Sequence, residues 1–309
     1  MKVFSLAVLM YHYVRDPGDR AEAGSGIPGL PVAHFEAQLD HVTQAYTMIA
    51  WPDLKDHLRG RKFLPPNTCL LTFDDGVCDH YLNVFPSLRR RGLSGLFFAL
   101  ARKPGTSLTL AHKIHFLLTR LGRDGLREVF WLRLSQAQRD LYQRAERHYQ
   151  AKGYSSLNVF KAIAQRDLSA EADMLLSQLF AETLGSETKI ADEYYLTPDQ
   201  ITEMTANGMH FGGHSRTHPW FDWVDEARQA EEINASAEGL REIEAGPWAF
   251  AYPYGGYTAR SPELLRTQGF VAAFTTVAQA AHSDPFFIGR LDAEEFSPEL
   301  SPLQTTGQY

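Results

Sequence analysis

The stretch that most constrains this chain runs from Thr68 to Phe73. It reads Thr-Cys-Leu-Leu-Thr-Phe and is closed abruptly by Asp74, Asp75 and Gly76. Pro65-Pro66-Asn67 precede it. An unbroken apolar run between turn residues suits a strand covered on both faces, as in a parallel sheet flanked by helices. Two adjacent carboxylates are too costly to bury in the middle of such a strand. They are expected at its carboxyl end, facing a cavity, with Gly76 permitting the tight turn beyond. Successive strand residues point in different directions. One acid can therefore hold a cation while the other faces a substrate. Taken alone, Asp-Asp-Gly is also ordinary turn chemistry.

The rest of the pattern supports a parallel sheet. Strands are expected near 3–10, 94–100, 208–212, 248–252, 270–276 and 286–291, and helices at 33–46, 79–91, 198–206, 225–244 and 261–268. Thr197-Pro198-Asp199 reads as a helix start. Alternation of this kind implies an α/β fold with parallel strands. Active groups at successive strand ends imply a barrel with its site on the carboxyl face. Residues 101–195 break the alternation with Leu-, Arg- and Gln-rich helical sequence such as Leu126 to Tyr149. The expected organisation is a barrel from 1–100 and 196–309, with 101–195 as an inserted helical subdomain. That insertion is a candidate lid, recognition element or homo-oligomer contact; a plain structural cap is the alternative.

A second motif lies about 140 positions after the acids: His214-Ser215-Arg216-Thr217-His218, preceded by Gly212-Gly213 and followed by Pro219. Histidines four apart share one face of a helical turn. Two neutral imidazoles and one carboxylate form a facial set with open positions, suited to zinc or a similar divalent ion. Without the upstream acids, two surface histidines would be the ordinary reading.

Together these residues resemble the polysaccharide deacetylases, carbohydrate esterase family four. The resemblance covers roughly residues 3–100 and 196–292. It implies a distorted (β/α)7 barrel, with Asp74 as catalytic base and Asp75, His214 and His218 holding a divalent metal, Zn2+ with Co2+ or Ni2+ as alternatives. Phe250-Ala251-Tyr252-Pro253-Tyr254-Gly255 resembles the third family motif, which implies that the backbone N–H of Tyr254 serves an oxyanion hole. Leu9-Met10-Tyr11-His12-Tyr13-Val14 is similar to the first strand of one branch. Two departures stand out. Many members carry an arginine two residues before the proline of the third motif; here that residue is Ala251, and Arg290 is the candidate replacement from a later strand, with a rim salt bridge as the alternative. Many members also end in a Leu-x-His motif that supplies a general acid; none stands near this C-terminus, and His12 and His282 are the candidates. Tyr252, Tyr254 and Trp220 are candidates to flank a sugar ring, core packing being the commoner role.

Bulk properties bound the function. The formal net charge of −7 argues against general nucleic-acid binding. Cys69 and Cys78 give no disulfide framework. Cys69 reads as a small core residue and Cys78 as a bystander near the acids. No apolar stretch is long enough to span a bilayer. The opening Met1 to Met10 lacks an Ala-x-Ala-like cleavage site and reads as the first strand, which points to the cytoplasm. The expected reaction is removal of an N-acyl group, N-acetyl first, from an amino sugar. The substrate would be a glycan, or a nucleotide- or lipid-linked intermediate of a surface polysaccharide such as an O-antigen. A deformylase or non-sugar amidase on the same site, and a non-catalytic sugar-binding module, are the alternatives.

Overall fold

A computed structural model describes residues 6–16, 26–277 and 284–295. Along the chain run β1 (Leu6–Tyr11), α1 (Val32–Ala45), β2 (Thr47–Met48), α2 (Trp51–Leu58), β3 (Thr68–Asp75), α3 (Phe85–Arg90) and β4 (Leu96–Ala99). Five helices then follow one another before the alternation resumes: α4 (Leu110–Arg133), α5 (Gln136–Ala151), α6 (Ser156–Ala162), α7 (Ser169–Leu184) and α8 (Glu187–Tyr194). Alternation then resumes with α9 (Pro198–Ala206), β5 (His210–Gly213), α10 (Glu226–Ile243), β6 (Trp248–Ala251), α11 (Ser261–Thr267), β7 (Phe270–Phe274) and β8 (Leu291–Asp292).

The strands pair in parallel in the order β7-β6-β5-β4-β3-β1-β8, with β2 beside the first residues of β3. The ring closes through one short segment. Ile288 bridges Phe274 of β7, and three residues later Leu291 and Asp292 pair with Leu9 and Met10 of β1. The result is a distorted barrel of seven strands, with β2 off the ring.

Strand periodicity divides the apolar residues between two layers. Leu6, Val8, Leu70, Leu96, Phe98, Ala249, Ala251, Ala272 and Phe274 pack together inside, and Trp51 and Leu54 of α2 join them. Their alternates Ala7, Leu9, Leu71, Phe73, Phe97, Phe211 and Phe250 meet the surrounding helices through Phe35, Leu39, Ile233, Leu240 and Leu265. Both faces of β1 and β3 are therefore covered, which explains why their sequences are apolar without alternation. The inward series on β3 continues as Leu70, Thr72, Asp74, so periodicity alone aims Asp74 into the barrel mouth.

The helices between β4 and β5 enclose a separate apolar cluster around Ile114, Leu117, Phe130, Phe160, Ile163, Leu176 and Phe180. Backbone bonds fasten their end to the loop after β3: Cys78 N–H to Tyr194 O at 2.8 Å, and Leu196 N–H to Gly76 O at 2.8 Å. Among the described residues, no helix is long and apolar enough to cross a membrane.

Two local expectations change. The strand near 286–291 shortens, because Asp284 accepts the Phe286 N–H and winds Pro285–Phe287 into a helical turn. Helix α2 and strand β2 were not anticipated. The residue before α2 is Ala50, which offers no side-chain cap, and Asp53 instead reaches back to the Ala50 N–H at 3.0 Å. Cys69 is fully buried, and burial pushes its thiol up to about 12. At pH 8 Cys69 is therefore expected to resist a chromogenic disulfide reagent in the folded protein and to react in denaturant. Rapid reaction without denaturant would contradict this packing.

Candidate metal centre

The site forms where three strand ends meet. At the end of β3 the chain turns through two consecutive left-handed residues, Asp75 with φ 75° and Gly76 with φ 63°. Aspartate tolerates this conformation better than most residues. Gly76 is also required for space, since a Cβ there would lie 3.0 Å from the Ala99 Cβ. The turn separates the two acids. Asp74 stays on the inward face, and Asp75 swings toward the loop after β5.

That loop carries the histidines, and it is not helical. Ser215 and His218 both adopt left-handed backbone, with φ 65° and 58°. This is the short strand-end loop expected from the sequence, without the helical turn that the four-residue spacing would allow, and in it the His218 N–H donates to Ser215 Oγ at 3.0 Å. Glu232 of α10, fully buried, holds the loop by accepting the N–H groups of Arg216 (2.6 Å) and Thr217 (2.9 Å) and the Thr217 hydroxyl (2.6 Å). Gly212 at the strand end is forced by proximity, because a Cβ there would meet Ala249 O at 2.7 Å.

The imidazoles converge all the same. His214 Nδ1 donates to Ala251 O at 2.8 Å, which leaves Nε2 with a free lone pair. His214 Nε2 lies 3.5 Å and His218 Nε2 3.4 Å from Asp75 Oδ1, and the two Nε2 atoms are 3.2 Å apart. Asp75 Oδ1 is buried without a hydrogen-bond partner. Among the described residues, these three side chains form a group whose ligand atoms all lie within 4.8 Å of one another. A buried, orphaned carboxylate oxygen facing two imidazole lone pairs is costly alone and fits a divalent cation, for which carboxylate and imidazole are natural donors.

Two of the three groups are held in the states that fit a cation; at His214 burial is outweighed by the Asp74 and Asp75 carboxylates, which raise the ring above its ordinary value, so a bound cation would take the place of a proton on Nε2. Burial opposes ionisation of Asp75, yet the His112, His214 and His218 rings beside it outweigh burial and hold its carboxyl well below the usual range. Burial, reinforced by the His214 and His112 rings against the pull of Asp75, lowers His218 to about 3, so its ring is neutral at pH 7.

Asp74 sits alongside in a different setting. Arg290 clamps it with two bonds, Nη1 to Oδ1 at 2.6 Å and Nη2 to Oδ2 at 2.7 Å. The guanidinium is fully buried and its Nε donates to Thr275 O at 3.0 Å. Burial would raise the Asp74 carboxyl, but Arg290 and the neighbouring His214 hold it below its ordinary value. The rim salt bridge offered as an alternative for Arg290 is excluded by this burial.

The other expected residues divide. His12 Nε2 lies 4.0 Å from Asp74 Oδ2, with about a third of the side chain exposed. His282 lies outside the described residues. Tyr254 is left-handed, φ 57°, and its ring meets His218 edge-on at 4.5 Å. Two aromatic assignments fail. Tyr252 is fully buried between Phe221, Phe250 and Tyr257, so it is a core residue and cannot flank a sugar. Trp220 has both faces covered, by the parallel Tyr254 ring at 4.1 Å and by the Arg166 guanidinium at 3.6 Å, which leaves no face for a sugar. Sequence reasoning also missed His112, whose Nε2 lies 3.3 Å from Asp75 Oδ2. Locally it is only one of two histidines, with His115, near the start of a helix of mixed polarity.

A family model described as polysaccharide deacetylase matches residues 173–273, which include His214, His218 and Tyr254. No curated protein matches by sequence. Among solved structures, the chain is similar to a Streptococcus pyogenes deacetylase PplD in complex with acetate, at 15% identity, with 97% of this chain and 96% of that chain covered and a TM-score of 0.59. It is similar to IcaB from Ammonifex degensii at 22% identity, covering 94% and 91%, with a TM-score of 0.57. It is also similar to a de-N-acetylase from Aggregatibacter actinomycetemcomitans at 14% identity, covering 94% and 97%, with a TM-score of 0.58. At these identities the structural likeness establishes a common fold.

Proposed function

We propose that the chain belongs to the polysaccharide deacetylases, a reading supported by the family match over residues 173–273 and by the barrel fold, and that it hydrolyses the N-acetyl group of an amino sugar at a divalent metal held by Asp75, His214 and His218. The observation that carries this reading is the orphaned Asp75 Oδ1 facing two imidazole Nε2 atoms, next to an ionised Asp74 that Arg290 keeps out of the ligand set. Zn2+ suits two imidazoles and one carboxylate, with Co2+ or Ni2+ able to replace it.

When bound, such an ion supplies Lewis acidity toward an acyl oxygen and acidifies water. The protein's own residues supply the rest. Asp74 accepts the proton of the attacking water; the Arg290 clamp keeps it ionised and fixes its aim. The backbone N–H of Tyr254, at the barrel mouth, faces the oxygen on which charge develops. His12, 4.0 Å from Asp74, donates a proton to the departing amine. Amines leave poorly as anions, whereas phenolates leave readily. His12→Gln is therefore expected to slow N-acetyl hydrolysis by about 100-fold or more, while 4-nitrophenyl acetate hydrolysis stays within a few-fold. Equal losses on both substrates would remove His12 as the acid.

Residues 1–100 and 196–309 are assigned to the barrel and 101–195 to a helical body that walls the cleft. The proposed substrate is an amino sugar in a glycan, or a nucleotide- or lipid-linked intermediate of a surface polysaccharide such as an O-antigen, acted on in the cytoplasm. Assay of acid release from N-acetylglucosamine oligomers and lipid- or nucleotide-linked amino sugars, with Zn2+ present, tests this reading. Acetate is expected. Formate from N-formyl sugars alone would make the enzyme a deformylase. A metal-loaded protein that releases no acid from any of these would overturn the catalytic reading.

A further inference from the structure

The helices between β4 and β5 reach the metal centre through one side chain. His112, in the first turn of α4, is 1% exposed. Its Nε2 lies 3.3 Å from Asp75 Oδ2, the carboxylate oxygen not directed at the two ligand imidazoles. Its Nδ1 lies 2.6 Å from the Tyr195 hydroxyl and 2.8 Å from Thr109 Oγ1. The Tyr195 oxygen in turn accepts the Thr109 N–H at 3.2 Å. A carboxylate held ionised only accepts, so the proton must sit on His112 Nε2. Nδ1 is then the acceptor, and a hydroxyl points its hydrogen at it. Donors and acceptors run in one direction: Thr109 N–H to Tyr195, Tyr195 O–H to His112, His112 N–H to Asp75.

We propose that His112 is a positioning residue for the metal carboxylate. By occupying Oδ2 it leaves Oδ1 as the oxygen that faces the cation and fixes the carboxylate plane. The usual arrangement, in which a carboxylate orients a ligand imidazole, is here reversed. The inference rests on Asp75 being a metal ligand, as proposed above. It has a consequence for the helical body. Thr109 and His112 lie where that body begins and Tyr195 where it ends, so both its joints lock onto one ligand. Metal binding should therefore slow hydrogen exchange at 109–116 and 192–197 as well as in the His214–His218 loop.

Chelator-competition titration with Co2+, read by the metal's visible spectrum, tests the assignment on the full chain as wild type, His112→Phe and His112→Gln. Glutamine places an amide N–H near the position of Nε2 and can still donate. The Phe variant is expected to bind Co2+ about 10–100-fold more weakly, with an altered spectrum. The Gln variant is expected to recover most of the affinity and the wild-type spectrum. A folded Phe variant with wild-type affinity and spectrum would overturn the proposal, as would equal losses in Phe and Gln, which would mean direct ligation or packing. If the Phe variant does not fold, Tyr195→Phe serves instead. It removes the nearer of the two hydroxyls that face Nδ1 and should weaken Co2+ binding several-fold; unchanged affinity there and in Tyr195→Phe combined with Thr109→Val would overturn the proposal. A wild-type protein that binds no Co2+ would defeat the metal reading itself, a result separate from any of these.

Discussion

Asp74→Asn is expected to lower kcat/KM for N-acetyl hydrolysis by about 100- to 10,000-fold, the range typical of removing a positioned general base, and to leave metal affinity within a few-fold of wild type. Both halves follow from the separation of the two acids. The β3 periodicity sends Asp74 inward, where both its oxygens are engaged by Arg290. The left-handed turn at Asp75 sends the second carboxylate to the histidines. The asparagine variant keeps the shape of the side chain and removes its ability to take a proton. Asp75→Asn should reverse the pattern, losing the metal first and activity with it. Metal content measured beside steady-state kinetics distinguishes the two. A variant of Asp74 that loses metal as completely as one of Asp75 would contradict the division of roles.

Arg290→Leu carries the second large effect, on stability and pH together. Breaking a buried ion pair by removing one partner costs about 3–5 kcal/mol, because the remaining charge is left without compensation. Here the lost partner also donates to Thr275 O and lies over the Phe98 ring at 5.5 Å. The direction with pH follows from the Asp74 carboxyl, which Arg290 and His214 hold below its ordinary value against burial. A lowered folded-state pKa stabilises the protein above the unfolded value, near 3.9 for aspartate, and that contribution is lost as pH falls through the folded value. Without Arg290 burial prevails and the carboxyl rises. The variant then gains, relative to wild type, as pH falls and the stranded carboxylate takes up its proton. The stability gap in urea denaturation should therefore be widest near pH 7 and narrow toward pH 4, and the acid limb of the pH–rate profile should move to higher pH. A gap independent of pH would mean that the loss came from packing alone.

The parts of the fold legible in the sequence are those set by local rules. The apolar run at 68–73 had to be a covered strand, and the Thr197 capping box with Gln200 starts α9 at the expected residue. Asp74, Asp75, His214 and His218 were legible as an inventory because each pair is contiguous or nearly so. Arg290 was found from a later strand because the third motif lacks an arginine and a buried carboxylate needs a cation. What stayed hidden depends on tertiary contact. The loop carrying the histidines was legible, but its shape was not: Glu232 of a later helix captures the intervening N–H groups and sets its irregular course. Nothing in Tyr252 or Trp220 tells which of their faces other residues cover. Arg166 reaches Trp220 from the distant helical segment, and Tyr252 lies buried in the layer between the strands and the helices. His112 was invisible for the same reason: its partner is 37 residues away in sequence and on another body of the fold.

The convergence of Asp75, His214 and His218 on one cation is tested most directly by loading the purified, metal-stripped protein with Zn2+. The measurements are metal per chain after dialysis and the zinc K-edge absorption spectrum. One zinc per chain is expected, with a first shell of two imidazoles and oxygen donors and no sulfur, and with occupancy lost in His214→Ala. Folded protein that retains no zinc, or zinc that persists unchanged in His214→Ala, would contradict it.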